Sequence, residues 1–184
     1  NLVLADNGRA YVTNLYTGSV SVISLKDFSI EKTIAVGFNP DALLFHDGKL
    51  YVANSGFGAD NTVSVIDVTT DQVVKTLVVG DYPVDLDVDE DGEIHVLCSG
   101  YSDWEDPSED TMGGIYIIDP ASDIVTDSLI LEGHPSKLAL GDDGKGYFID
   151  GFFGNVSCYS TVTNELEQAV FIAGSFYGIK VGQV

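Results

Sequence analysis

Apolar and polar residues alternate with a period of two along most of this chain, in short runs separated by turn residues. Thr62 to Val68 alternates in this way, and Thr69-Thr70-Asp71 then turns the chain into the run from Gln72 to Val78. Alternation over runs of this length predicts half-buried β-strands. Because sustained helical periodicity is absent from the pattern, the sequence predicts an all-β fold.

The turns between these runs recur in a repeat of roughly forty to fifty residues. Each copy opens with Asn-Gly or Asp-Gly between two apolar runs, a combination that favours a tight β-hairpin because both central residues adopt positive φ. The four turns are Asn7-Gly8, Asp47-Gly48, Asp91-Gly92 and Asp143-Gly144. A second hairpin follows in each copy, so the sequence predicts four antiparallel strands per repeat.

Four-stranded units with this spacing are typical of the blades of a β-propeller, which bury their apolar faces on one another. The sequence predicts one incomplete propeller domain over residues 1–184, with part of a larger ring missing. The predicted blades are approximately 1–36, 37–79, 80–132 and 133–174, and 175–184 is predicted to begin a fifth blade with its first strand.

One class of loop varies in length while the framework stays constant. The interval from the second strand to the end of the third spans 13 residues from Tyr11 to Ser24, but 24 residues from His95 to Asp119. Each hairpin reverses the chain, so these loops and the crossings into the next blade are predicted to emerge on one face, opposite the Asx-Gly turns. Variable loops on a constant framework commonly carry binding groups.

Several segments resemble the YVTN repeat of surface-layer-type propellers. The resemblance rests on Tyr11-Val12-Thr13-Asn14, on Tyr51-Val52-Ala53-Asn54, and on Thr62 to Asp67 followed by Val74 to Gly80. It covers nearly the whole chain and implies the propeller fold. It does not imply one activity, because such repeats serve many binding roles.

The later part of the chain, including Ser175 to Val181, more narrowly resembles surface-exposed propeller lipoproteins of gut bacteria. That resemblance implies capture of cobalamin and its transfer to an outer-membrane transporter, at the cell surface or in the periplasm. Members with this role usually have seven blades. The resemblance therefore also implies that four blades and one strand are part of a larger ring.

The charge of the chain makes some classes of binding partner improbable. The 29 acidic and 8 basic residues give a formal net charge of -21, which repels nucleic acid and anionic membrane surfaces. No apolar run is long enough to predict a transmembrane segment. Cys98 and Cys158 belong to no CxxC pattern, and we interpret them as buried free thiols rather than as a disulfide, metal ligands or a nucleophile.

Aromatic residues are concentrated in the loops predicted to share one face. They could bind a planar or partly apolar ligand, or fill gaps between blades. The predicted ligand-binding residues are Tyr16, Phe38, Phe57, Tyr82, Tyr101, Trp104, Phe152, Phe153 and Tyr177, together with His134 at a crossing.

Two acidic segments could hold a cation. The loop from Gly100 to Gly113 could cover the mouth, bind an ion, or remain solvated. Asp87, Asp89 and Asp91 reproduce the opening of a calcium-binding loop, with Gly92 sixth, but Cys98 stands where a bidentate acid is required. We therefore expect no cofactor and keep calcium only as an alternative at these aspartates.

No nucleophile elbow, phosphate-binding loop or HExxH motif is present. The sequence therefore predicts a non-catalytic protein that binds a small molecule, such as a corrinoid, on the aromatic loop face. One alternative is a lactonase-like or quinoprotein-like enzyme with a metal in the central channel. Another is a surface scaffold that binds proteins.

Overall fold

The computed structural model describes residues 1–103 and 105–181, which form four antiparallel sheets of four strands each. Blade 1 comprises β1 (Leu2–Leu4), β2 (Arg9–Asn14), β3 (Ser19–Ser24) and β4 (Ile30–Ala35). Blade 2 comprises β5 (Pro40–His46), β6 (Lys49–Asn54), β7 (Thr62–Asp67) and β8 (Gln72–Val78). Blade 3 comprises β9 (Pro83–Val88), β10 (Ile94–Cys98), β11 (Gly113–Asp119) and β12 (Ile124–Leu131). Blade 4 comprises β13 (Lys137–Leu140), β14 (Lys145–Ile149), β15 (Gly154–Ser160) and β16 (Glu165–Phe176).

Each sheet follows the chain order, so the first strand lies on one edge and the fourth on the other. The first strands of successive blades contact one another, β1 with β5, β5 with β9, and β9 with β13. They are the inner strands of a radial arrangement. The predicted all-β propeller fold of four-stranded blades is confirmed.

The apolar core lies between the blades. Three clusters of buried residues each combine side chains from two adjacent blades. Between blades 2 and 3, for example, Tyr51 and Val65 pack with Leu86 and Val96. Burying apolar surface between sheets is the main term that stabilises stacked blades, since each blade leaves a face uncovered on its own.

Two kinds of turn with left-handed residues connect the strands. Gly8, Gly48, Gly92 and Gly144 have positive φ in the hairpins between first and second strands, but of the four Asx residues before them only Asp47 does. The predicted tight hairpin with both central residues at positive φ is therefore confirmed at Asp47-Gly48 and wrong at the other three turns, whose loops are longer. The hairpins between third and fourth strands also place one residue near φ +50 to +60°. Those residues are Phe28, Asp71, Asp123 and Asn164.

The last predicted boundary is wrong. Ser175 and Phe176 belong to β16 rather than to a fifth blade, and residues 177–181 form no strand. Bulges shift the register between β15 and β16, so β16 needs more residues to reach its end, where Phe176 pairs with Gly154. Gly174 therefore lies inside the strand and donates its N–H to Asn155 Oδ1 at 3.0 Å. Residues 182–184 lie outside the described part of the chain.

Cys98 and Cys158 are free and buried, as predicted. Burial raises the pKa of the Cys98 thiol far above its ordinary value, so the thiol stays protonated at neutral pH. Across the described residues, no helix has the length and apolar character needed to span a membrane.

Candidate ligand-binding mouth

The loops after the second strands and the crossings between blades meet on one face, and in blades 2 and 3 backbone hydrogen bonds join them. In blade 2, the Gly56 amide donates to Phe38 O at 2.9 Å. In blade 3, the Ser99 amide donates to Tyr82 O at 2.8 Å and the Gly100 amide to Asp81 O at 2.9 Å. The crossing and the loop of a blade therefore form one unit at the rim, which we call the mouth.

A cavity of about 940 Å³ opens at this mouth across blades 2, 3 and 4. Six of the predicted ligand-binding residues line it: Phe57, Tyr82, Tyr101, His134, Phe152 and Tyr177. Cavities of roughly 300 to 1,000 Å³ are typical of small-molecule sites. The geometry thus brings together residues separated by up to 120 positions in the sequence.

Tyr101 is positioned by the neighbouring blade. A Cβ atom on Gly58 would lie 2.5 Å from Cδ2 of the Tyr101 ring. The ring can therefore occupy this place only because residue 58 is glycine. On its own loop, the Tyr101 amide donates to Thr111 Oγ1 at 2.8 Å, and the Tyr101 carbonyl accepts from the Thr111 amide at 2.9 Å. The ring is therefore held from both sides of the boundary between blades 2 and 3.

Two lining aromatic residues have unfavourable backbone conformations. Phe57 has φ +52° and Tyr82 has φ +57°, in the left-handed region that bulky residues seldom occupy. Such conformations cost of order 1 to 3 kcal/mol and are concentrated at functional sites. Burial, and then the Asp41 charge, raise the pKa of Tyr82, so its phenol remains a neutral donor at neutral pH.

A cluster of three aromatic rings forms the blade 4 side of the mouth. The Phe152 and Phe153 rings meet edge to face with centroids 4.6 Å apart, and Tyr177 lies 6.0 Å from Phe152 and 5.7 Å from Phe153. All three side chains are more than half exposed. They pack on each other at the rim and leave apolar surface exposed there.

Tyr16 and Phe38 lie apart from the main cavity. They line a smaller cavity of about 470 Å³ between the blade 1 loop and the crossing into blade 2. The two sites adjoin, because the Tyr16 and Phe57 ring centroids are 6.5 Å apart. Trp104 lies outside the described residues.

Polar groups in the main cavity differ from blade to blade. His134 Nδ1 lies 2.9 Å from Ser99 O. Since a carbonyl oxygen only accepts, Nδ1 is the donor. Ser136 Oγ donates to Gly151 O at 2.6 Å. Asp41, Lys137 and Asp150 complete the charged lining.

Three aspartates of the Gly100 to Gly113 loop accept hydrogen bonds from within the loop. Asp103 Oδ1 accepts from the Glu105 and Asp106 amides, and Asp110 Oδ1 accepts from the Asp103 amide at 2.6 Å. Asp106 caps the short 3-10 turn Pro107–Glu109 by accepting from the Ser108 amide at 3.1 Å. Hydrogen bonds from backbone amides to Asp103, and from the Ser108 hydroxyl and amide to Asp106, lower the pKa of both carboxyls.

Two aspartates of the calcium alternative, Asp87 and Asp89, make hydrogen bonds within blade 3 and to blade 4. Asp87 Oδ2 accepts from the Leu140 amide of the next blade at 2.9 Å. Asp89 Oδ1 accepts from the Asp91 and Glu93 amides, and its Oδ2 lies 3.2 Å from His95 Nε2. Within residues 1–103 and 105–181, no group of three or more His, Cys, Asp or Glu side chains is placed to hold a metal ion. Turn geometry and contacts between blades account for these aspartates.

Sequence reasoning missed several lining residues, among them Asp41, Ser99, Lys137 and Asp150. A signal was present for two kinds of position. Asp41 and Lys137 follow the crossing prolines Pro40 and Pro135 at the start of inner strands, whereas Ser99 and Asp150 come directly after second strands. Both kinds of position reach the same rim because strand direction reverses at each hairpin.

No family model and no curated protein matches the chain. Solved structures do resemble it. Hydrazine synthase of Kuenenia stuttgartiensis has a TM-score of 0.77 and 19% identity, with 96% of this chain and 48% of that chain covered. The Pan2 WD40 domain of Neurospora crassa has a TM-score of 0.70 and 16% identity, with 98% and 54% covered. The computationally designed Ika8 protein has a TM-score of 0.74 and 12% identity, with 99% and 52% covered.

The chain therefore spans about half the length of these three structures. Identities this low carry the fold and leave the activity open. On this likeness and on its own sheet topology, the chain consists of four blades of a β-propeller.

Proposed function

We propose that the mouth binds a small molecule with a planar or partly apolar body, without covalent chemistry. The observation that carries this proposal is the cavity of about 940 Å³, where aromatic side chains from three blades converge. Large rings contribute contact area at low entropic cost, and a few polar groups orient the ligand. Phe57, Phe152 and Tyr177 provide the apolar surface, while His134, Lys137 and Asp150 provide the polar groups.

A corrinoid is the first ligand to test. It combines a broad, nearly flat ring with polar side groups around its edge, and the mouth combines exposed aromatic rings with a mixed polar rim. The resemblance to cobalamin-capturing surface propellers supports the same choice. With it we propose a cell-surface or periplasmic location, and an outer-membrane transporter or another surface protein as the partner that receives the ligand.

The experiment is a calorimetric titration of the protein with cyanocobalamin, followed by a thermal-shift screen of other vitamins, cofactors and glycans. A ligand of the native state raises the melting temperature in proportion to its occupancy. We expect Tyr101→Ala and Phe152→Ala each to weaken binding by roughly 1 to 3 kcal/mol. The circular dichroism spectrum should stay unchanged.

Phe28→Ala is the matched control. Phe28 is an aromatic residue that is 79% exposed, but it lies in the turn between β3 and β4 on the face opposite the mouth. This variant should bind like the parent. Unchanged titration curves for both mouth variants, or an equal loss in the Phe28 variant, would remove the proposal.

A further inference from the structure

In two blades, an aspartate in the turn between the third and fourth strands accepts hydrogen bonds from two side chains of the preceding blade. Asp71 of blade 2 accepts from Arg9 Nη1 at 3.3 Å and from the Tyr11 hydroxyl at 3.4 Å. At the next boundary, Asp123 of blade 3 accepts from Lys49 Nζ at 2.7 Å and from the Tyr51 hydroxyl at 2.9 Å.

At the boundary between blades 3 and 4, both the donor side chains and the acceptor differ from those at the first two boundaries. Asn164 of blade 4 occupies the place of the two aspartates, with the same left-handed backbone, φ +54°. Blade 3 correspondingly presents Glu93 and His95 instead of a cation and a tyrosine. His95 bonds to the Tyr159 hydroxyl at 2.8 Å, and Asn164 bonds to Asp127. A cation and a tyrosine on one blade therefore accompany an aspartate on the next.

Blade 4 carries the cation and the tyrosine as Lys145 and Tyr147. Lys145 pairs with Glu167 as Arg9 pairs with Glu31. The Tyr147 hydroxyl donates to Asp143 at 3.0 Å, and Asp143 occupies the place of Asn7, from which Tyr11 accepts. The contacts to a following blade are missing from the described residues.

Burial shows the same difference. Tyr11 and Tyr51 are fully buried by the following blades, whereas Tyr147 is partly exposed. Ile172 pairs with Val156 as Leu77 pairs with Val63, yet Ile172 is 47% exposed and Leu77 only 5%. The face of blade 4 that points away from blade 3 thus has the residues of a boundary between blades, and no following blade covers it among the residues that the structure describes.

We propose that this face of blade 4 docks a further propeller blade that carries an aspartate at the left-handed position of its third-to-fourth-strand turn. Lys145 would donate to that carboxylate, and the Tyr147 hydroxyl would exchange its bond to Asp143 for one to the same carboxylate, as Tyr51 donates to Asp123 although Asp47 occupies the place of Asp143. The apolar residues of the new inner strand would cover Ile172. Blade 1 of a second copy does not fit, because Phe28 occupies the position where the aspartate is required. Asp27 beside it already accepts from the Ser29 amide and hydroxyl.

The test extends the chain by one blade. Residues 179–184 are replaced by a copy of residues 82–132, so that the new blade follows Gly178 and carries a copy of Asp123. We expect one cooperative urea transition at a higher midpoint, with an m-value larger by roughly a quarter, because five blades expose more surface on unfolding than four. Tyr147→Phe should lower the midpoint in the extended chain and leave it nearly unchanged in the original chain.

The matched control is Asp123→Asn made only in the added copy, which keeps the left-handed turn and removes the charge. In this variant the urea midpoint should fall by about half or more of the increase that the added blade produces. A second extension uses a copy of residues 39–79, which carries Asp71. It shows whether a failure of the first extension is specific to the copied sequence.

The proposal is wrong if the added blade unfolds in a separate transition in both extensions, or if Tyr147→Phe acts equally with and without it. Analytical ultracentrifugation of the original chain tests whether a second copy of the chain covers this face instead. A dimer that is abolished by Ile172→Asp would show that a second copy covers this face, and would overturn our choice of a further blade. None of these results depends on a ligand at the mouth.

Discussion

Removing the carboxylate of Asp123 should destabilise the boundary between blades 2 and 3 in a measurable way. The Tyr51 hydroxyl is buried and donates to Asp123, so Asp123→Ala leaves a buried donor without this acceptor, at a cost of roughly 1 to 3 kcal/mol. Alanine at φ +51° adds about 1 kcal/mol. The Lys49 pair contributes less, because Lys49 is partly exposed and keeps its bond to Pro120 O at 2.8 Å.

We therefore expect Asp123→Ala to lower the free energy of unfolding by about 3 kcal/mol. For a chain of this length, that corresponds to a fall in melting temperature of about 6 to 12 °C. Asp123→Asn keeps an acceptor oxygen and tolerates the left-handed backbone, so it should lose only about 1 kcal/mol. Urea unfolding followed by far-ultraviolet circular dichroism measures both variants.

A double-mutant cycle with Tyr51→Phe checks the cause. If the hydroxyl and the carboxylate stabilise each other, the double variant should lose less than the sum of the single variants by at least 0.5 kcal/mol. Additive losses, or a loss below about 1 kcal/mol for Asp123→Ala, would refute the reasoning that this contact holds the blades together.

Two other predictions concern the mouth and the blade 3–4 boundary. Gly58→Ala should displace the Tyr101 ring and speed amide exchange in its loop, while Gly48→Ala, with a similar positive φ and open space around it, should leave that loop unchanged; equal exchange in both variants would contradict the packing argument. Burial lowers the pKa of His95 despite the opposing Asp89 carboxylate, so the unfolded state binds the proton first and stability should fall as pH drops below about 6.5. His95→Gln should remove up to about 1.4 kcal/mol per pH unit from the slope of unfolding free energy against pH, and an unchanged slope would show that other groups cause it.

The mouth and the blade boundaries place different demands on the chain. At the mouth, Phe57 and Tyr82 are held in left-handed conformations and remain accessible. At the boundaries, Tyr11 and Tyr51 are buried completely. The loops that differ in length between blades lie at the mouth, whereas the buried tyrosines lie on strands of nearly constant length.

The sequence by itself determined the strands, the hairpins and the face on which the loops emerge. Alternation with a period of two and the Asx-Gly turns are local signals, because backbone conformation at Asp47-Gly48 depends mainly on those two residues. Strand reversal then fixes which loops share a face. This is why Phe57, Tyr101 and Phe152 could be assigned to one mouth before any contact was known.

Only the tertiary structure decided what the repeats do to one another. Tyr51 and Asp123 are 72 residues apart, and nothing in the local sequence of either predicts their bond. The bulges that keep Gly174 inside β16, the close approach of Gly58 to Tyr101, and the engagement of Asp89 by His95 also depend on how sheets pack. Such contacts depend on the register between paired strands and on the rotation between neighbouring blades. Both depend on the packing of distant segments against one another, so no single segment of the sequence determines them.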